Sequence, residues 1–137
     1  MTVEVVVPQD AEARAVAYVR ARLAPLAGAA TTVSTKVPAT RPARMVRVSR
    51  TGGVMRDLVN DRARLTFECS APDSVQASNL AGLCRGLIFA WPRDPQHGRD
   101  VGRVNDVAGP TEFPDPTSDQ PRYQFTVEVD LRSYAVT

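Results

Sequence analysis

Residues 41–71, RPARMVRVSRTGGVMRDLVNDRARLTFECSA, decide how this chain folds. Side chains alternate across a strand with a period of two. In the first half, Val46 and Val48 share one face while Met45, Arg47 and Ser49 share the other. In the second half, Ala63, Leu65, Phe67 and Cys69 fall on one side and Arg62, Arg64, Thr66 and Glu68 on the opposite one. That is the pattern of a sheet with one buried face, and the stretch reads as a β-hairpin. Its connection opens at Thr51, Gly52 and Gly53, where paired glycines tolerate positive φ. The ten residues from Thr51 to Asn60 exceed a tight hairpin loop, so a long projecting arm is expected.

Working outward, Met1 to Pro8 is a β-branched run that reads as an edge strand or a disordered leader. Asp10 is placed to cap a helix whose apolar stripe is Val16, Val19, Leu23 and Leu26, flanked by Arg14, Arg20 and Arg22 and ended by Pro25 and Gly28. A β-branched segment, Thr31 to Val37, follows, and Pro38 and Pro42 bracket the entry to the hairpin as an edge or linker. After the hairpin, Ser70 is expected as a helix cap with Asp73 in the acidic capping position. Leu80, Leu83, Cys84, Leu87, Ile88 and Trp91 then fit a helical stripe that stops at Pro92. Arg93 to Asp100 reads as a polar loop, Val101 to Ala108 as a strand, and Gly109 to Pro121 as a linker with four prolines. In the last strand Tyr123, Phe125, Val127, Val129 and Leu131 alternate with polar residues, leaving Arg47, Arg62, Arg64, Glu68, Glu128, Asp130 and Arg132 on an uncovered face. The predicted class is α+β: a mostly antiparallel sheet covered on one face by two helices, in a single domain over residues 1–137.

With 137 residues, 43% hydrophobic and 23% charged, the chain fits one globular domain. Its cations are sixteen arginines and only Lys36, a choice of planar, bidentate groups suited to interfaces, and also the composition that a GC-rich genome encodes. Cys69 and Cys84 match no metal spacing and are expected as reduced core thiols. The N-terminal VEVVVP lacks the features of a signal peptide, and synthesis in the cytosol is expected.

Signals for chemistry are few. His97 is the single histidine, in a polar loop with no nucleophile beside it, and is expected to be solvent-exposed. Asp57 and Asp61 stand among Arg56, Arg62 and Arg64, which suggests ion pairs rather than an acid and base couple. Gly52-Gly53 lacks the following Lys-Ser or Lys-Thr of a phosphate loop. No enzyme activity and no cofactor are expected. From Arg41 to Arg64 seven arginines face two aspartates, an excess that suits nonspecific phosphate contact, although the aromatics are not interleaved as stacking platforms.

The segments RPARMVRVSRTGG (Arg41 to Gly53), DRARLTFECSAPDSVQASNLAGLCRGL (Asp61 to Leu87) and GPTEFPDPTSDQPRYQFTVEVDLR (Gly109 to Arg132), in that order, resemble the tail terminator proteins of long-tailed bacteriophages, particularly those of actinobacterial hosts. The resemblance implies a hexameric ring that caps the head-proximal end of the tail tube, stops its growth and forms the head-tail joining surface. The implied partners are further copies of the chain, the major tail tube protein and a head-tail connector protein, with phage DNA passing through the lumen without specific binding. The implied location is the virion tail or neck, after assembly in the host cytoplasm. The expected subunit and tube contacts are Arg47, Arg50, Arg56, Asp57, Asp61, Arg62, Arg64, Glu68, Glu128 and Asp130, the arginines meeting acids of the adjacent subunit. Another neck protein of the same phages, and a small arginine-rich nucleic-acid-binding module, are the competing readings.

Overall fold

A computed structural model describes residues 3–27 and 30–136. In chain order its elements are β1 (Val6–Val7), α1 (Ala11–Ala27), β2 (Thr32–Ser34), β3 (Met45–Asp57), β4 (Asn60–Ser70), α2 (Ser74–Ala90), a 3-10 turn (Trp91–Arg93), β5 (Val101–Glu112), β6 (Arg122–Arg132) and β7 (Tyr134–Ala135). Five strands form one sheet in the order β2-β3-β4-β6-β5, with β2 parallel to β3 and every other pair antiparallel; β1 and β7 make a separate two-stranded pair. The fold is therefore the α+β arrangement that the alternation in residues 41–71 predicts.

Both helices lie on one face because each has one apolar stripe and the sheet offers one apolar face. Val46, Val48, Ala63, Leu65, Phe67, Cys69, Phe125, Val127, Val129 and Leu131 are all buried against Tyr18, Val19 and Leu23 of α1 and Leu80, Cys84 and Ile88 of α2. Phe67 and Phe125, directly opposite across β4 and β6, stack with centroids 4.8 Å apart. Both cysteines are buried and unbridged, and a hydrogen bond with the neighbouring Cys84 thiol, together with burial, raises the pKa of Cys69.

Several boundaries differ from the sequence reading. The arm is not a ten-residue loop: β3 and β4 stay paired out to Asp57 and Asn60, leaving a two-residue turn at Leu58 and Val59. The Asp57 carboxylate replaces the usual turn glycine by accepting from the Val59 amide at 2.9 Å and the Asn60 side chain at 3.1 Å. The glycines serve a bulge between Arg50 and Gly52 instead. Gly53 has φ 99, and a Cβ there would lie 2.1 Å from the Arg62 carbonyl oxygen across the ladder. Asp10 caps α1 as expected, accepting from the Ala13 amide at 3.0 Å. That helix runs through Pro25, which so near the end forfeits a single backbone bond, and Leu26 is exposed rather than part of the stripe. Gly28 lies outside the described residues. Ser70 does not cap α2, since it is still paired in β4; Asp73 is the cap, accepting from the Gln76 amide at 2.8 Å. On α2 the fully buried positions are Ala77, Leu80, Ala81, Cys84 and Ile88, with Leu83 and Leu87 half-buried at the rim. β5 extends to Glu112 through Pro110, tolerated because β5 is an edge strand and needs no second ladder.

Candidate functional site

Antiparallel register sets opposite charges face to face on the outer side of the sheet. Arg47 sits across from Glu68, Arg64 across from Glu128 and Arg62 across from Asp130. Each pair closes within the chain, at 3.2 Å, 3.4 Å and 2.9 Å respectively. The bond that Arg62 donates to Asp130 raises the pKa of its guanidinium. Arg56 reaches back from the hairpin to the same Asp130 at 2.9 Å, so one carboxylate that is 3% exposed serves two guanidiniums. Between these pairs the hydroxyls of Thr51, Thr66 and Thr126 join in a line, with spacings of 3.0 Å and 2.9 Å. Arg122, which the sequence reading did not single out, is the second partner of Glu68 at 2.6 Å.

Two of the expected contact residues lie on the other side. Asp61 is two residues before Ala63 and Arg50 two after Val48, so strand parity turns both toward the helices. Asp61 is buried and accepts from Arg50 at 2.7 Å and 3.0 Å, which raises the pKa of that arginine. Glu12 of α1 accepts the Arg50 amide at 2.7 Å and ties the helix to the strand. Asp57 is neither paired with an arginine nor on the face; it holds the turn, and the Val59 amide lowers its pKa. The site residues thus divide into an outer network (Arg47, Arg56, Arg62, Arg64, Glu68, Glu128, Asp130), an inner pair (Arg50, Asp61) and a turn holder (Asp57). The acids that were expected to come from a neighbouring subunit come from β4 and β6 of the same chain.

The excess of arginine between Arg41 and Arg64 is largely offset in space. Arg41 pairs with Asp115 at 2.8 Å, and that acid organises the loop after β5 by accepting the Thr117 amide at 2.9 Å, the main reason its pKa is lowered. Arg41, Arg47, Glu68, Asp115 and Arg122 wall a recess of about 270 Å³ whose charged groups already satisfy one another.

His97 is half-buried rather than solvent-exposed, its ring 5.9 Å from Tyr18. Its carbonyl accepts from the Trp91 indole at 2.8 Å and from Arg14 at 3.0 Å, so the polar loop is pinned to α1 and to the 3-10 turn that follows α2. Arg22 binds Asp94 at 2.6 Å in the same loop and holds that carboxyl far below the usual range. These are clamps between elements. Among the described residues no three His, Cys, Asp or Glu side chains gather into a metal-sized cluster.

The hairpin tip has a different character. Val54, Met55 and Leu58 are 69%, 58% and 80% exposed. Met55, Leu58 and Val59 border an open recess of about 370 Å³ together with Glu4 and Val6. The arm of paired strands thus ends in exposed aliphatic side chains. Beside it, β5 leaves a free sheet edge along most of its length. No protein-family model matches this chain, and no curated protein matches it in sequence.

Proposed function

We propose that this chain is a structural, non-enzymatic subunit that assembles into a closed ring capping the head-proximal end of a phage tail tube. The observation that carries the reading is the apolar tip of the β3–β4 hairpin, standing beyond the part of the sheet that the helices cover. Burying Met55 and Leu58 against a neighbour would contribute about 1.5–3 kcal/mol each, against about 0–1 kcal/mol for an exposed ion pair. The tip, more than the charged face, is therefore the adhesive part. The charge network, satisfied inside each chain, serves as a stiff plate that fixes the angle of the arm. A heterologous contact, tip of one copy onto a different surface of the next, closes into a ring when the rotation allows it. The segment resemblance supplies the biological setting: tube protein on one rim, connector protein on the other, DNA through the lumen.

Light scattering on purified protein, with electron microscopy of the same sample, tests this directly. The wild type is expected as uniform rings, and Leu58→Asp as a folded monomer with an unchanged melting temperature. Reversing Arg62 and Arg64 is the poorer test, because each would then repel Asp130 or Glu128 of its own chain. A wild type that stays monomeric at high concentration, or a Leu58→Asp variant that still forms rings and gives tails of normal length, would sink the proposal.

A further inference from the structure

We infer that the sheet corner around Asp130 and the start of β5 is a contact surface for the phosphate backbone of a nucleic acid, engaged without regard to base sequence. Three of the cations left over after internal pairing, Arg99, Arg103 and Arg132, fall here, outside the arginine-rich stretch that the sequence brings to notice. Asp130 must divide one carboxylate between Arg56 and Arg62. Arg132 lies two residues further along β6, on the same face, and is exposed. Its backbone amide donates to the Asp100 carbonyl at 2.8 Å, which brings the Arg99-Asp100 turn to the end of the strand. β5 then passes over Asp130 at Gly102, where a Cβ would sit 3.4 Å from the Asp130 Cβ, and the next residue is the exposed Arg103.

Among the described residues, Arg99, Arg103 and Arg132 have no carboxylate within ion-pair distance. Together with the pair on Asp130 they set five guanidiniums against the two carboxylates of Asp100 and Asp130. The opposite end of the same face differs: there Arg122 is only 13% exposed, and the loop after β5 contributes Asp115 to bind Arg41.

The corner fits a phosphate chain better than an acidic protein. Protein interfaces draw on apolar anchors; here Val101 and Leu131 are buried under the sheet and the exposed Val54 stands alone across from Arg62, one aliphatic side chain among five guanidiniums. No aromatic side chain stands among these arginines to stack a base, so affinity would come from phosphate contacts and released counterions. Planar guanidiniums with no competing carboxylate are suited to bidentate phosphate binding. The surface is complete in one chain and does not depend on the ring.

Fluorescence anisotropy of the full chain with a labelled duplex of mixed sequence, at about 50 and about 200 mM salt, tests the inference. With roughly four phosphates engaged, affinity should fall about a hundredfold between the two conditions, equally for unrelated sequences. The double substitution Arg103→Gln with Arg132→Gln should lower the slope against log salt by about 2 while leaving the melting temperature unchanged. Absence of binding at the lower salt overturns the inference, as does a double variant that keeps the wild-type slope. Poly-glutamate displacing the duplex equally well per charge would assign the corner to an acidic protein and overturn it too.

Discussion

At the base of the β3–β4 hairpin Val48, Leu65 and Phe67 are fully withdrawn from solvent, whereas beyond the bulge Val54, Met55 and Leu58 are 69%, 58% and 80% exposed. The two halves are built from the same kind of alternating strand and the same ladder. What separates them is the bulge together with the second layer: the bulge turns Val54 to the outer face across from Arg62, and α1 reaches β3 only as far as Arg50, where Glu12 takes its amide, so Met55 and Leu58 run on past it. Alternation tells which side chains share a face, and only a covering element decides whether that face is core. The apolar residues past the bulge are therefore available to another molecule.

The largest expected effect lies at the base. Phe67→Ala removes a stacked, fully buried ring and should cost about 3–5 kcal/mol in chemical denaturation, while Met55→Ala at the tip should change the isolated subunit by less than about 0.5 kcal/mol. Equal costs would erase the distinction between the halves. Next comes the joint itself. Gly53→Ala forces a side chain into a positive-φ position against the Arg62 carbonyl, and a loss of about 1–3 kcal/mol with disturbed amide signals from Gly52 to Arg64 is expected. A neutral result would mean that the bulge can move.

The smallest effect is local and depends on pH. The Asp57 carboxyl titrates below its ordinary value because the Val59 amide and Asn60 side chain bond its charged form. A lowered folded pKa contributes stability that is present above about pH 4 and is lost as pH falls through the folded value. The Val59 amide resonance should therefore shift during acid titration before the base of the hairpin loosens, and Asp57→Asn should flatten that titration. Simultaneous change at Val59 and Phe67 would show that tip and base open as one unit.

Much of the fold was legible because period alone carried it. The alternation in β4 and β6 and the stripe on α2 place Leu65, Phe67, Phe125, Val127, Leu80, Cys84 and Ile88 in the core without any long-range information. The same parity was there to place Asp61 and Arg50 inward, but charge put both among the expected subunit contacts, and the structure turns them toward the helices. Asp-Leu-Val-Asn carries no glycine, so the tight turn was hidden behind the more conspicuous Gly52-Gly53. Pro110 reads as a breaker until β5 is known to be an edge.

The site was less legible, for a reason of distance. Arg62 and Asp130, or Arg47 and Glu68, look like isolated charges along the chain and become partners only through strand register. The sequence by itself determined the class of fold, the identity of its core and the polar character of the outer face, because those follow from local periodicity and the exclusion of apolar groups from water. Only the tertiary structure decided which arginines are neutralised and which remain free at the corner of β5 and β6, because electrostatic pairing depends on separations of a few ångströms between residues 11 to 74 positions apart.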